Sequence, residues 1–91
     1  MNEFHVQYSA AAQKVIKKLD PSVARMIVSW IRKNLEGCAD PRVHGKGLSG
    51  DRAGHWRYRV GDYRLLAEIQ DEKIIILLLN IGHRSKIYDE P

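Results

Sequence analysis

Between His55 and Leu66 the chain reads HWRYRVGDYRLL, which puts three arginines into eight residues. Arg57, Arg59 and Arg64 are separated by apolar or aromatic residues and by a Gly61-Asp62 pair. A Gly-Asp pair between two alternating segments predicts a two-residue hairpin loop. That turn sets Val60 opposite Tyr63, Arg59 opposite Arg64 and Arg57 opposite Leu66. Because strand side chains alternate between faces, Arg57, Arg59 and Arg64 then share one face. Like charges opposed across strands repel, so stability gives no reason for the arrangement. Phosphate binding does give one, since guanidinium groups grip phosphate oxygens bidentately and stay charged at any working pH.

The tail GHRSKIYDE adds His83, Arg84, Lys86 and Tyr88 to the inventory. If Asp71-Glu72 is also a tight turn, the third strand places Leu79 opposite Arg64 and Ile81 beside the Gly61-Asp62 turn. The tail then emerges next to the arginines. An imidazole with an ordinary pKa of about 6.5 in that position suits acid–base work. The same register puts Leu66, Ile75, Leu77 and Leu79 on the arginine face, an apolar patch for which a protein partner is the expected cover.

The elements that carry these residues follow from periodicity. Phe4, Val6 and Tyr8 alternate with His5 and Gln7, as in a short strand. Ser9 caps an amphipathic helix over AAAQKVIKKL. Asp20-Pro21 supplies the cap and first position of a second helix, in which Ala24, Ile27, Val28, Ile31 and Leu35 recur at helical spacing up to a stop at Gly37. A glycine-rich connection from Gly37 to Gly54 follows, read as loop, including GKGLSG. Three strands complete the chain: His55–Val60, Tyr63–Gln70 and Lys73–Ile81. The expected fold class is α+β, in the order β-α-α-β-β-β, with a small antiparallel-core sheet and a two-helix hairpin packed on one face. Residues 1–91 read as a single domain. Trp56, Tyr58, Val60, Tyr63, Leu65, Ala67 and Ile69 form the helix-facing side, and Trp30, Trp56 and Tyr58 are assigned to the core.

Composition narrows the classes. Apolar residues make up 44% and charged residues 29%, which is globular rather than disordered. The formal charge is +4 with an isoelectric point near 9.4, a balance that suits a polyanionic partner. The longest apolar run, IIILLLNI, is too short to cross a bilayer, and MNEFHVQYS does not have the pattern of a signal peptide. The lone Cys38 fits a reducing cytoplasm and reads as an inert thiol in a connection. Neither the four histidines nor Cys38 has metal-ligand spacing, and no serine nucleophile elbow or phosphate-binding loop occurs.

From Leu48 to Tyr88 the chain, with WRYRVGDYRL followed by GHRSKIY, resembles the RelE toxins of toxin–antitoxin pairs, within the broader RelE/ParE family. The element order and length agree over essentially the whole chain, which implies the microbial ribonuclease-like fold of that family. The resemblance implies a toxin that inhibits translation as a metal-independent endoribonuclease needing no cofactor. It would enter the ribosomal A site, against 16S-type rRNA, and cleave the messenger RNA there by attack of a 2′-hydroxyl on the neighbouring phosphate. A cognate antitoxin would neutralise it. Operator DNA would be reached only through that antitoxin, and no membrane is involved. Arg64 and Arg84 match the family's phosphate-stabilising arginines, and Tyr88 matches the tyrosine that stacks on or orients the nucleotide. Arg57 and Arg59 stand where the best-known members carry lysines credited with proton transfer. A guanidinium is a poor general base, so here both act through charge, and proton transfer falls to Tyr88, His83 or water. Lys46 and Lys86 are expected to contact RNA. The alternative is a ParE-like inhibitor of DNA gyrase without nuclease activity, and a third reading is a degenerate member that serves only in the antitoxin complex.

Overall fold

The computed structural model of the chain describes residues 3–50 and 54–84. Strand β1 (His5–Tyr8) leads into helices α1 (Ala10–Lys18) and α2 (Pro21–Asn34). Strands β2 (Lys46–Gly47), β3 (His55–Val60), β4 (Tyr63–Gln70) and β5 (Ile75–His83) follow, with a 3-10 turn at Asp71–Lys73 between the last two. The five strands form one sheet in the order β1-β5-β4-β3-β2. β1 runs parallel to β5, and every other pairing is antiparallel. The α+β class and the helix hairpin on one face are as expected.

Local chemistry starts and stops the helices where the sequence says it should. The Ser9 hydroxyl accepts from the Ala12 N–H (3.1 Å) and donates to the Leu79 carbonyl (2.8 Å), so one side chain both caps α1 and ties it to β5. Asp20 accepts from the Ser22 N–H ahead of α2, with Pro21 at the first helical position. Gly37 ends the turn after α2 at φ 79°, a left-handed conformation in which glycine is least strained. Its N–H then donates to the Phe4 carbonyl (2.7 Å), returning the chain to β1.

The core lies between the helix hairpin and the sheet. Ile27, Ile31 and Leu35 from α2 and its cap, with Ala12 from α1, meet Tyr58, Leu65, Ala67, Ile76 and Leu78. Each large aliphatic side chain buried there contributes about 1.5–3 kcal/mol. No helix among the described residues is long and apolar enough to cross a membrane.

Two expectations need correction. GKGLSG is not only loop, because Lys46 and Gly47 pair with Arg57 and Trp56 as an edge strand. Two residues, one of them glycine, carry no period, so only the long-range pairing makes them a strand. The register of β5 is also displaced by three residues. The connection after β4 spans Asp71 to Ile74 instead of two residues, with Ile74 left-handed at φ 49°. β5 therefore begins at Ile75 opposite Gln70, and an irregularity between Leu66 and Ala67 adds a further residue. Gly82, not Leu79, lies opposite Arg64, and Ile81 lies opposite Leu65. The apolar part of the arginine face is consequently less open than expected. Leu66 is only 8% exposed, Ile75, Leu77 and Leu79 are half-buried, and Asn80 stands opposite Leu66.

Candidate functional site

The hairpin register is the predicted one: Val60 opposite Tyr63, Arg59 opposite Arg64 and Arg57 opposite Leu66. β2 adds Lys46 opposite Arg57. Cross-strand partners lie on the same face with Cβ atoms roughly 4.5–5.5 Å apart, so three adjacent strands present four cationic side chains side by side. Gly45, Lys46, Arg57, Arg59 and Arg64 line a concavity of about 290 Å³.

These side chains differ in how they are held. Arg59 is exposed and Arg57 half-buried, whereas Arg64 is only 5% exposed. The Arg64 Nη1 donates to the carbonyls of Gly61 and Tyr63 (3.1 Å each), which folds its guanidinium back over the hairpin turn and fixes its plane. Alternation in the sequence places Arg64 on this face and does not reveal its burial. Here the tight turn offers carbonyls within reach of the side chain.

The described start of the tail runs beside the arginines by way of the displaced register, with Gly82 opposite Arg64. The Arg84 N–H donates to the Asp62 carbonyl (2.8 Å), which fastens the end of β5 to the hairpin turn. His83 is not brought to the cluster. It pairs with Tyr63, and the two rings meet edge to face at 5.5 Å on the helix side of the sheet. Lys86 and Tyr88 lie outside the described residues.

The wall formed by β2 is pinned by groups that the sequence reading assigned only to the core. The Tyr58 hydroxyl, buried among apolar groups, donates to the Pro41 carbonyl (2.6 Å), and that burial pushes its pKa up. The Trp56 Nε1–H donates to the His44 carbonyl (2.7 Å), and Trp30 meets the His44 ring edge to face at 5.7 Å. Gly45 sits at φ 76° against β3, where a Cβ would lie 2.1 Å from the Arg57 carbonyl oxygen and 2.9 Å from Trp56 Nε1. The available signal for this was general: a buried Tyr or Trp needs a partner for its polar tip. A glycine-rich loop nearby supplies carbonyls.

Elsewhere the candidates are weaker. Burial raises the pKa of Cys38, in keeping with an inert thiol. Among the described residues no three His, Cys, Asp or Glu side chains stand close enough to share a metal ion. A larger depression of about 400 Å³ between β1 and the helices is lined by Val6, Tyr8, Ile16 and Val28 with Lys17, Arg32 and Glu36.

Comparison with known proteins gives a consistent result. The family described as "ParE toxin of type II toxin-antitoxin system, parDE" matches residues 6–88. Toxin RelG of Mycobacterium tuberculosis is 32% identical over 85 residues, covering 93% of this chain and 95% of that protein. Among solved structures, a chain of the toxin–antitoxin complex RelBE2 of M. tuberculosis superposes with a TM-score of 0.81 at 30% identity, covering 90% of this chain and 99% of that one. The isolated E. coli RelE toxin shares the fold, with a TM-score of 0.70 at 23% identity over 96% of this chain and 93% of that one. With the family matched over most of its length and its fold superposing on these proteins, the chain belongs to the RelE/ParE family of type II toxin–antitoxin toxins and is a toxin of RelE type.

Proposed function

We propose that this toxin is a ribosome-dependent messenger-RNA endonuclease that arrests translation in the cytoplasm by cutting the message in the A site. The observation that carries this reading is the pairing of Arg59 with Arg64 and of Lys46 with Arg57 around one concavity. Guanidinium groups gathered on one face suit a phosphate diester, whose oxygens they can grip bidentately. In the reaction the 2′-hydroxyl oxygen attacks the adjacent phosphorus, leaving a 2′,3′-cyclic phosphate and a 5′-hydroxyl. Negative charge builds on the non-bridging oxygens, and preorganised donors aimed there supply on the order of 10²–10³ in rate each. Arg64, fixed by two carbonyls, is the most preorganised of them. Arg57, Arg59 and Arg84 add charge, and Tyr88 orients the nucleotide.

A cognate antitoxin is the proposed partner in the resting state, as in the RelBE2 complex, with operator DNA contacted only through it. Primer extension on a message incubated with the purified toxin, with and without translating ribosomes, tests the reading. Cuts in register with codons, present only with ribosomes, are expected. If a folded, growth-arresting protein makes no cuts, the nuclease reading fails. Inhibition of gyrase supercoiling in its place would establish the other branch of the family.

A further inference from the structure

The proposed roles of Arg57, Arg59 and Arg64 account for holding a phosphate and leave proton transfer unassigned. A 5′-alkoxide is strongly basic, so its departure needs a proton donor. Three of the five described residues around the concavity are arginines and one is glycine. Guanidinium groups keep their protons at any working pH, with pKa values above about 12. The remaining residue is Lys46. A lysine ammonium is fully charged near neutrality and releases a proton about 10²–10³ times more readily than a guanidinium.

Building on the nuclease reading, we propose that Lys46 is the general acid that delivers a proton to the leaving 5′-oxygen. Its placement supports the role. Lys46 stands opposite Arg57 on the arginine face, with Arg59 two residues farther along β3 and Arg64 across from Arg59. It is not an idle loop lysine, because the backbone on its N-terminal side is tied down at Pro41 and His44, whose carbonyls accept from Tyr58 and Trp56. Gly45 packs closely against β3. The cluster thus divides its labour: arginines on β3 and β4 hold the phosphate, and a lysine from the edge strand moves the proton. As the P–O2′ bond forms, the P–O5′ bond breaks. The 2′-hydroxyl proton passes to water, one Nζ proton passes to the 5′-oxygen, and solvent recharges the amine.

The test replaces the bridging 5′-oxygen of the scissile linkage by sulfur in a message programmed into ribosomes, and compares single-turnover cleavage of the two substrates. A thiolate leaves without protonation, so sulfur repairs the loss of a general acid and not the loss of a phosphate clamp. Lys46→Ala and Lys46→Arg are expected to slow cleavage of the oxygen substrate by about 10²–10⁴. Both are expected to cut the sulfur substrate within about tenfold of the unmodified toxin, an order-of-magnitude window for full chemical rescue. Lys46→Arg keeps the charge and the fold, so a defect in it reports proton transfer. Cleavage of the oxygen substrate by Lys46→Ala at the unmodified rate overturns the proposal. So does an equal loss on both substrates, or rescue by sulfur of Tyr88→Phe in place of the Lys46 variants. If the unmodified toxin cuts neither substrate, the nuclease reading itself has failed, and this inference goes with it.

Discussion

The two ends of the same sheet treat charge in opposite ways. At the end away from the hairpin turn, opposite charges are matched. Arg42 grips Asp71 bidentately (2.9 and 3.0 Å) while its guanidinium lies 5.9 Å from the centre of the Trp56 ring. On the outer strand His5 meets Glu36 (2.8 Å), whose other carboxylate oxygen accepts the Val6 N–H (3.0 Å). At the hairpin end like charges are opposed, Arg59 against Arg64 and Lys46 against Arg57. The first pattern fastens a loop and an edge strand, as stability alone selects. The second gathers cations on one face, an arrangement that suits an anion. Charge pattern, more than charge amount, distinguishes the matched end from the proposed phosphate site.

The sharpest way to break this contrast is to remove the fixed guanidinium. Arg64→Ala is expected to lower single-turnover cleavage by about 10²–10³. Because the side chain is buried, it should also cost roughly 1–3 kcal/mol in urea unfolding, through lost packing and unpaired carbonyls. Next in size is Gly45→Ala, which forces a left-handed alanine against the Arg57 carbonyl. A loss of roughly 1–3 kcal/mol in the same unfolding assay is expected, together with slower cleavage as β2 shifts. Arg59→Glu imports the matched pattern into the functional end. Cross-strand pairing with Arg64 should raise stability by about 0.2–1 kcal/mol while cleavage falls, and a variant that gained both would sink the contrast.

The smallest effects belong to the matched end. Asp71→Asn should cost no more than about 1 kcal/mol, being an exposed pair, and leave the cleavage rate unchanged. Hydrogen bonds from Arg42 hold the Asp71 carboxyl below its usual range, and the Val6 N–H and then His5 do the same for Glu36. A depressed folded-state pKa stabilises fully above the unfolded values of 3.8 and 4.5 and ceases to do so as pH falls through the folded ones. Unfolding followed from pH 6 downward, on the order of the usual plateau, should show stability draining below those values. It should drain less steeply in Glu36→Gln, where that proton uptake is gone.

Features set by neighbours in sequence were legible. The alternation of Phe4, Val6 and Tyr8, the caps at Ser9 and Asp20, and the Gly61-Asp62 turn each follow from residues within a few positions of one another. The β5 register was not legible, because IIILLL reads as strand throughout and nothing marks Ile74 as the left-handed residue that lengthens the connection. A β-branched residue is the last type expected in that conformation. β2 was hidden for the complementary reason, since its pairing depends on Trp56 and Tyr58 reaching back to His44 and Pro41. At the site, alternation revealed which arginines share a face. It gave no hint that Arg64 would be buried or that His83 would turn to Tyr63.

The parallel pairing of β1 with β5 has a consequence for how the molecule comes into being. The strand nearest the N-terminus finds its partner only in the last strand, and the bonds joining Ser9 to Leu79 span 70 residues of sequence. At ordinary rates of synthesis the stretch between them takes about 4–14 s to emerge. Throughout that interval β1 and the helix hairpin have no sheet to close on, and β4 has no inner neighbour. The arginines of β3 and β4 are made before the strand that ties Arg84 to their turn. A nascent chain of this topology therefore has no partner for β1, and no tie from Arg84 to the hairpin turn, until β5 has been made.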